Sequence, residues 1–399
     1  MSARKAKSVK PGYRLVRFGD VVRQCKEKAD PETSGLERYV AGDHMDTDDL
    51  RLRRWGEIGS GYLGPAFHIR FRPGQVLYGS RRTYLRKVAV ADFEGICANT
   101  TFVLEPKNAE ELLPEFLPFL MQSEGFNEFS VKNSKGSVNP YINFSDLGRF
   151  EFLLPPISEQ LRIVTALTAL DESRELFVDL QAHSNFLLKS LLDRMWDAFP
   201  KRTIGSLIEE GQIFPPQDGN HGEKHPKASD YVEEGIPFIM ASDLKDGEVD
   251  LNNCKKIPEA LAKALRIGFA SPGDVLLSHK GTVGQVARLG SLATKYAMLT
   301  PQVTYYRTVS QSKMPSDWFY YSFQTPGFRR LLEQYGRQST RAYVGITSQR
   351  ELSIPFANPE EMKQTLSELL SVEKAGLAAA RRAESVAEMR QRLLGLALA

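Results

Sequence analysis

The feature that most constrains this 399-residue chain is a run from Ile157 to Phe199 with no glycine and no proline. Pro155 and Pro156 cannot continue a helix backward, Ser158 can cap one, and Pro200 closes the run. Ile163, Leu167, Leu170, Phe177, Leu180, Leu187, Leu191 and Met195 recur along it at spacings of three, four or seven, as one helix face requires. About 40 residues make a rod of roughly 60 Å, far beyond the ~11–12 residues of an ordinary globular helix. An apolar stripe of that length needs a partner along its whole extent.

The chain supplies that partner by repeating itself. Arg72-Pro-Gly-Gln-Val-Leu77 returns about 200 positions later as Ser271-Pro-Gly-Asp-Val-Leu276, and Phe116-Leu-Pro-Phe-Leu120 with Gly125-Phe126 returns as Trp318-Phe-Tyr-Tyr-Ser322 with Gly327-Phe328. The polar loop Lys132–Pro140 has its counterpart in Tyr335–Arg341, and Phe152–Pro155 in Leu352–Pro355. A second helix, Pro359 to about Leu396, takes the place of the rod. Five features in one order indicate a tandem duplication.

The expected fold is therefore α+β. Two tandem globular α/β domains, 1–154 and 200–357, alternate with a central helical spacer at 155–199 and a C-terminal one at 358–399. The spacers pair as an antiparallel coiled coil in a pseudo-twofold arrangement, because the second leaves the domain that the first enters. Leu369, Gly376, Ala379, Ala383 and Leu393 mark the seam of the second helix. Its small residues at Gly376–Ala383 would face the bulk of Phe177 and Leu180. In the first domain, strands are expected over 67–71, 75–78, 87–90 and 100–104, and a helix over 110–127.

Three cysteines, Cys25, Cys97 and Cys254, lie too far apart for a metal motif or a disulfide framework, which suits a reducing cytoplasm. A basic start without an apolar run behind it suggests no leader, and no stretch is apolar enough to suggest a membrane span. Net charge is only +3, but its distribution is informative. Ile58–Ala91 and Val275–Ser316 contain no acid at all, and they occupy corresponding places in the two repeats. The first carries Arg81, Arg82, Arg86 and Lys87; the second carries His279, Lys280 and Thr282. Surfaces without like charge attract a polyanion such as double-stranded DNA. The polar loops add Lys132, Asn133, Lys135, Ser137 and Asn139 in one repeat and Arg337, Gln338, Ser339, Thr340 and Arg341 in the other. These side chains suit phosphate oxygens and base edges.

Catalytic-looking strings fail on context. Gly59-Ser-Gly-Tyr-Leu-Gly64 has no apolar strand before it and Pro65 after it. Asn139-Pro140-Tyr141 lacks the second proline of an adenine methyltransferase motif, and His221-Gly-Glu-Lys-His225 is not a helical zinc pair. No catalytic residue, metal ligand or bound cofactor is expected. The alternatives are a single-chain DNA methyltransferase or nuclease, and a helical scaffold without DNA recognition.

The whole chain resembles the specificity subunit of type I restriction–modification systems. Phe152-Leu-Leu-Pro-Pro-Ile-Ser-Glu-Gln-Leu-Arg-Ile-Val164, Phe186-Leu-Leu-Lys-Ser-Leu-Leu192 and Lys280-Gly-Thr-Val-Gly284 carry the resemblance. It implies that each domain is a target recognition domain for one half of an asymmetric bipartite DNA site. It also implies that the helices space the halves and dock two methyltransferase subunits, which methylate adenine with S-adenosylmethionine, and that restriction/motor subunits are further partners. The second copy departs from the pattern, with Pro355-Phe-Ala-Asn-Pro-Glu-Glu361 where the first has Pro-Pro-Ile-Ser-Glu-Gln.

Overall fold

Each of the two long helical runs forms a single helix, Ile157–Ala198 and Pro359–Ala397. The start of the second is fixed by a reciprocal cap: Asn358 Oδ1 accepts from the Glu361 amide at 3.0 Å, and Glu361 Oε2 accepts from the Asn358 amide at 3.2 Å. The computed structural model describes residues 11–221, 225–337 and 343–398. Packing divides the chain inside the helices rather than at their ends. One unit comprises residues 1–177 and 381–399, the other residues 178–380.

In the first unit, Arg14–Arg17 pairs antiparallel with Glu151–Leu154. One four-stranded sheet orders 22–25, 101–106, 76–79 and 88–90; another orders 56–57, 38–40, 95–98 and 67–71. The strand Val76–Gly79 is buried throughout. Its Val76 and Tyr78 join the aromatic core of Phe18, Phe116 and Phe126, while Leu77 joins Phe71 and Cys97 on the opposite face. A strand covered on both faces reads as a continuous apolar run without alternation. The second unit repeats the arrangement: Val275 and Leu277 meet Trp318, Phe319 and Phe328, and Leu276 meets Ile239 and Leu299. Strand 38–40 runs parallel to 95–98, as 236–239 does to 297–299. The turns repeat too. Gly74 and Gly273 sit at φ +86° and +91°, where a side chain would be strained.

The expected helix over 110–127 is broken. Helices Phe116–Gln122 and Glu124–Lys132 meet at Ser123, whose backbone is extended and whose hydroxyl caps the second helix at Phe126.

Within each unit the two long helices run antiparallel. In the first, Leu394 packs with Ile163 and Leu167, Arg390 bonds Asp171 and Gln122, and the Arg382 guanidinium lies 5.7 Å from the Phe177 ring. In the second, Arg194 pairs with Glu368, and Leu369 shares a core with Leu192 and Met195. This register corrects two expectations. Gly376 faces Ser184, not Phe177. Leu180 and Leu187 are each 48% exposed, and buried Ser184 holds the seam between them. The physical reason is angular: the seam follows Gln181, Ser184 and Leu188, so Leu180 and Leu187 sit one residue, about 100°, off it. Of the other seam residues, Ala379 and Ala383 are buried, and Leu170, Leu191 and Leu393 are half-buried.

Candidate nucleic-acid interface

In both units the inner strand ends in a loop that is sewn to a second loop far along the chain. In the first, the Ile142 amide donates to Ser80 O at 2.9 Å and the Arg82 amide to Pro140 O at 2.6 Å, and Arg81 bridges Tyr141. Lys135 and Tyr141 exchange both backbone bonds, at 2.7 and 2.9 Å, and Thr83 meets Ser134 through their hydroxyls at 2.9 Å. The second unit repeats the two anchoring contacts: the Val344 amide donates to His279 O at 3.0 Å, and Lys280 bridges Tyr343. In the first unit, the polar loop that sequence places some 50 residues from the cationic one thus forms one surface with it. Arg82 and Arg86 flank the turn Thr83–Leu85 at φ +49° and +51°, left-handed conformations that such residues adopt only when surroundings impose them.

Acid-free stretches of sequence are not acid-free in space. Arg86 is spent internally, on Asp48 at 2.7 Å, Glu124 at 2.8 Å and Gln122 O at 2.9 Å. Arg70 pairs with Glu94 and Arg72 with Glu27. Arg307 grips Asp274, and Arg288 reaches Asp317 at 2.6 Å and Glu373 at 3.2 Å. Lys87 donates to Gly42 O, and Lys135 pairs with Asp146 at 2.7 Å. Arg81, Arg82, Lys132 and Lys280 are exposed and carry no ion pair among the described residues. Those four stand at the sewn loops, free to meet a phosphate.

The remaining expected residues divide similarly. Ser137, Asn139 and Thr282 are exposed. Asn133 turns back to cap its helix at Phe129 O, 2.8 Å away. Arg337 is exposed, with Glu333 at 3.7 Å. Gln338, Ser339, Thr340 and Arg341 lie outside the described residues. His279 is corrected: its side chain is fully buried. Its Nδ1 lies 3.1 Å from Val344 O, and its Nε2 lies 3.7 Å from Asp218 Oδ2, which also holds His221 at 2.8 Å. Burial pushes the imidazole down to about 4, against the pull of Asp218. A neutral ring donating from Nδ1 locks the two loops together from beneath.

Sequence reasoning missed buried Gln349, and it read Gln160 only as part of a motif. Gln349 accepts from Tyr306 OH at 2.6 Å and donates to Val344 O at 2.8 Å. Gln160 donates to Glu111 O and Pro155 O, both at 2.9 Å, and accepts from the Leu113 amide. The departure of the second copy at this motif therefore changes a domain–helix junction, where the cap at Asn358 substitutes.

Among the described residues no group of three His, Cys, Asp or Glu is arranged to hold a metal ion, and no helix is long and apolar enough to cross a membrane.

Residues 62–179 match the family described as type I restriction modification DNA specificity domain. The chain is 19% identical over 320 residues to the MjaVIII specificity subunit of a type I restriction enzyme from Methanocaldococcus jannaschii, spanning 76% of this chain and 74% of that one. It is 26% identical over 157 residues to the EcoDI specificity subunit of Escherichia coli, 39% of this chain and 34% of that one. Its fold is similar to the S subunit of a type I restriction–modification system from M. genitalium, with a TM-score of 0.62, 13% identity, and 100% and 98% of the two chains covered.

Proposed function

From the similarity of this chain to type I restriction–modification specificity subunits, we propose how it divides the work of DNA recognition. The chain is a DNA-recognition subunit and not itself catalytic. Each unit reads one half of an asymmetric bipartite site through its sewn pair of loops. The observation that carries this is the recurrence, in both units, of the same backbone anchors under exposed unpaired cations, Arg81 and Arg82 in one and Lys280 in the other. The loop sequences beside the anchors differ in chemistry, Lys and Asn in one repeat against Arg and Gln in the other, which supports two different half-sites.

The partners in this reading are two methyltransferase subunits and, in the full assembly, restriction/motor subunits, all in the cytoplasm. The outward Leu180 and Leu187 offer apolar surface on the first long helix for a methyltransferase subunit. S-adenosylmethionine belongs to those partners and not to this chain. The decisive experiment incubates DNA with S-adenosylmethionine and magnesium, with this chain alone and with the reconstituted complex, and maps methylation by sequencing. The complex should methylate adenines at one two-part site and the chain alone should leave DNA unchanged. Turnover by the stringently purified chain would return the enzyme reading.

A further inference from the structure

The two sewn loop pairs share almost no side chains, yet each holds an exposed tyrosine at the same place. Tyr141 is 43% exposed and Tyr343 38%, while Tyr78, Tyr306 and Tyr321, elsewhere in the same units, are buried. Each bridges the first exposed cation after the inner strand, Arg81 or Lys280. The backbone of Tyr141 is held further by two hydrogen bonds exchanged with Lys135, and the Tyr343 ring lies 5.6 Å from the locked His279 ring and 5.9 Å from the Lys280 ammonium. A large ring left in water, on a backbone bridged to a neighbouring loop, beside a cation without an acid partner, is a prepared contact for a group with both a π-face and a negative charge. A nucleotide has both.

We propose that Tyr141 and Tyr343 are DNA-contacting positioning residues, one per half-site, whose rings stack on a base uncovered when the neighbouring target base leaves the duplex. Arg81 or Lys280 holds the adjoining phosphate. The inference rests on the DNA-recognition reading above. An intact duplex shows no π-face along its grooves, so a fixed ring gains most from an opened base pair. A methyltransferase must open one, because it reaches its target atom only by turning the base out. The ring then occupies stacking space that water would otherwise fill.

The test uses the complex with its methyltransferase partners and a duplex bearing the mapped site, with 2-aminopurine beside the target position of one half-site. Tyr141→Ala should weaken binding about 5- to 150-fold, the range for losing one base–aromatic stack. It should also leave the 2-aminopurine bright where the unaltered complex quenches it. Tyr343→Ala should do the same for the other half-site alone. Tyr→Phe at either position should keep both affinity and quenching. Ala variants that bind and quench like the unaltered complex overturn the proposal, as do Phe variants that lose as much as Ala, which would indicate a hydroxyl–phosphate contact. If the unaltered complex protects no specific duplex, the DNA-recognition reading itself fails. Protection by the unaltered complex with indifferent variants sinks only the tyrosine assignment.

Discussion

Gly376 is the position where helix propensity and packing make opposite demands. In a helix interior, glycine to alanine ordinarily gains about 1 kcal/mol. Here a β-carbon at Gly376 would stand 3.1 Å from Ser184 Cβ, with Asn185 Oδ1 at 3.8 Å. Comfortable carbon contacts lie near 3.5–4.0 Å. Ser184 is 8% exposed, and both residues belong to long helices, so the obstruction cannot swing aside as a flexible tip would. Overpacking of this kind costs about 1–3 kcal/mol. The expected net effect of Gly376→Ala is therefore a loss of up to about 2 kcal/mol, and Gly376→Leu should lose more. Ser184→Gly removes the obstructing carbon, and in that background Gly376→Ala should recover its ordinary gain. The coupling between the two changes should reach about 1–3 kcal/mol. Phe177→Ala should add independently. Urea unfolding of this unit can be followed by Trp196 and Trp318 after Trp55 is replaced by Phe. A full 1 kcal/mol gain from Gly376→Ala alone, or no recovery beside Ser184→Gly, would refute the register.

Two further outcomes can be checked directly. His279 has a folded value near 4 against 6.5 for an ordinary imidazole, so between those pH values the unfolded chain binds a proton that the folded one refuses. Its contribution is complete above pH 6.5 and falls away on acidification, by about 2 kcal/mol at pH 5. His279→Asn should flatten that slope in urea titrations between pH 7 and 5, and an unchanged slope would place the proton elsewhere. Because Arg86 is spent on Asp48 and Glu124, Arg86→Ala should lower the melting temperature and leave the salt dependence of DNA binding nearly as it was. Arg81→Ala with Arg82→Ala should do the reverse, reducing the salt slope by one to two. Swapped behaviour would show that the loop turns over on binding DNA.

The long helices and the duplication were legible because both leave one-dimensional traces: spacing, absence of breakers, repeated turns at Pro73-Gly74 and Pro272-Gly273. The helix seam was legible only to within one residue. Spacings of three, four and seven admit Leu180 and Leu187 as readily as Gln181 and Leu188, and only the partner helix chooses. Charge was misread for a different reason. The acids that neutralise Arg86, Arg288 and Arg307 come from elsewhere in sequence, among them Glu124, Glu373 and Asp274, and no local window contains most of them. His279 looked available because it precedes Lys280 at a strand end, yet strand alternation turns one inward and the other out. The equivalence of Tyr141 and Tyr343 emerges only once the bridges to Arg81 and Lys280 are drawn.

The first unit has one further property with consequences for how the chain is made. It is assembled from both ends of the sequence, since Leu394 lies in the same core as Phe152, Ile163 and Leu167, and Arg390 is held by Asp171 and Gln122. The second unit is continuous. During synthesis domains generally mature from the N-terminus onward, but here the first-made unit cannot close until the last-made residues reach it. Residues 178–380 need none of those last residues for their own packing. An early stop codon near residue 380 would accordingly spare the later-made unit and leave the first-made one with an open, apolar flank for chaperones and proteases to find.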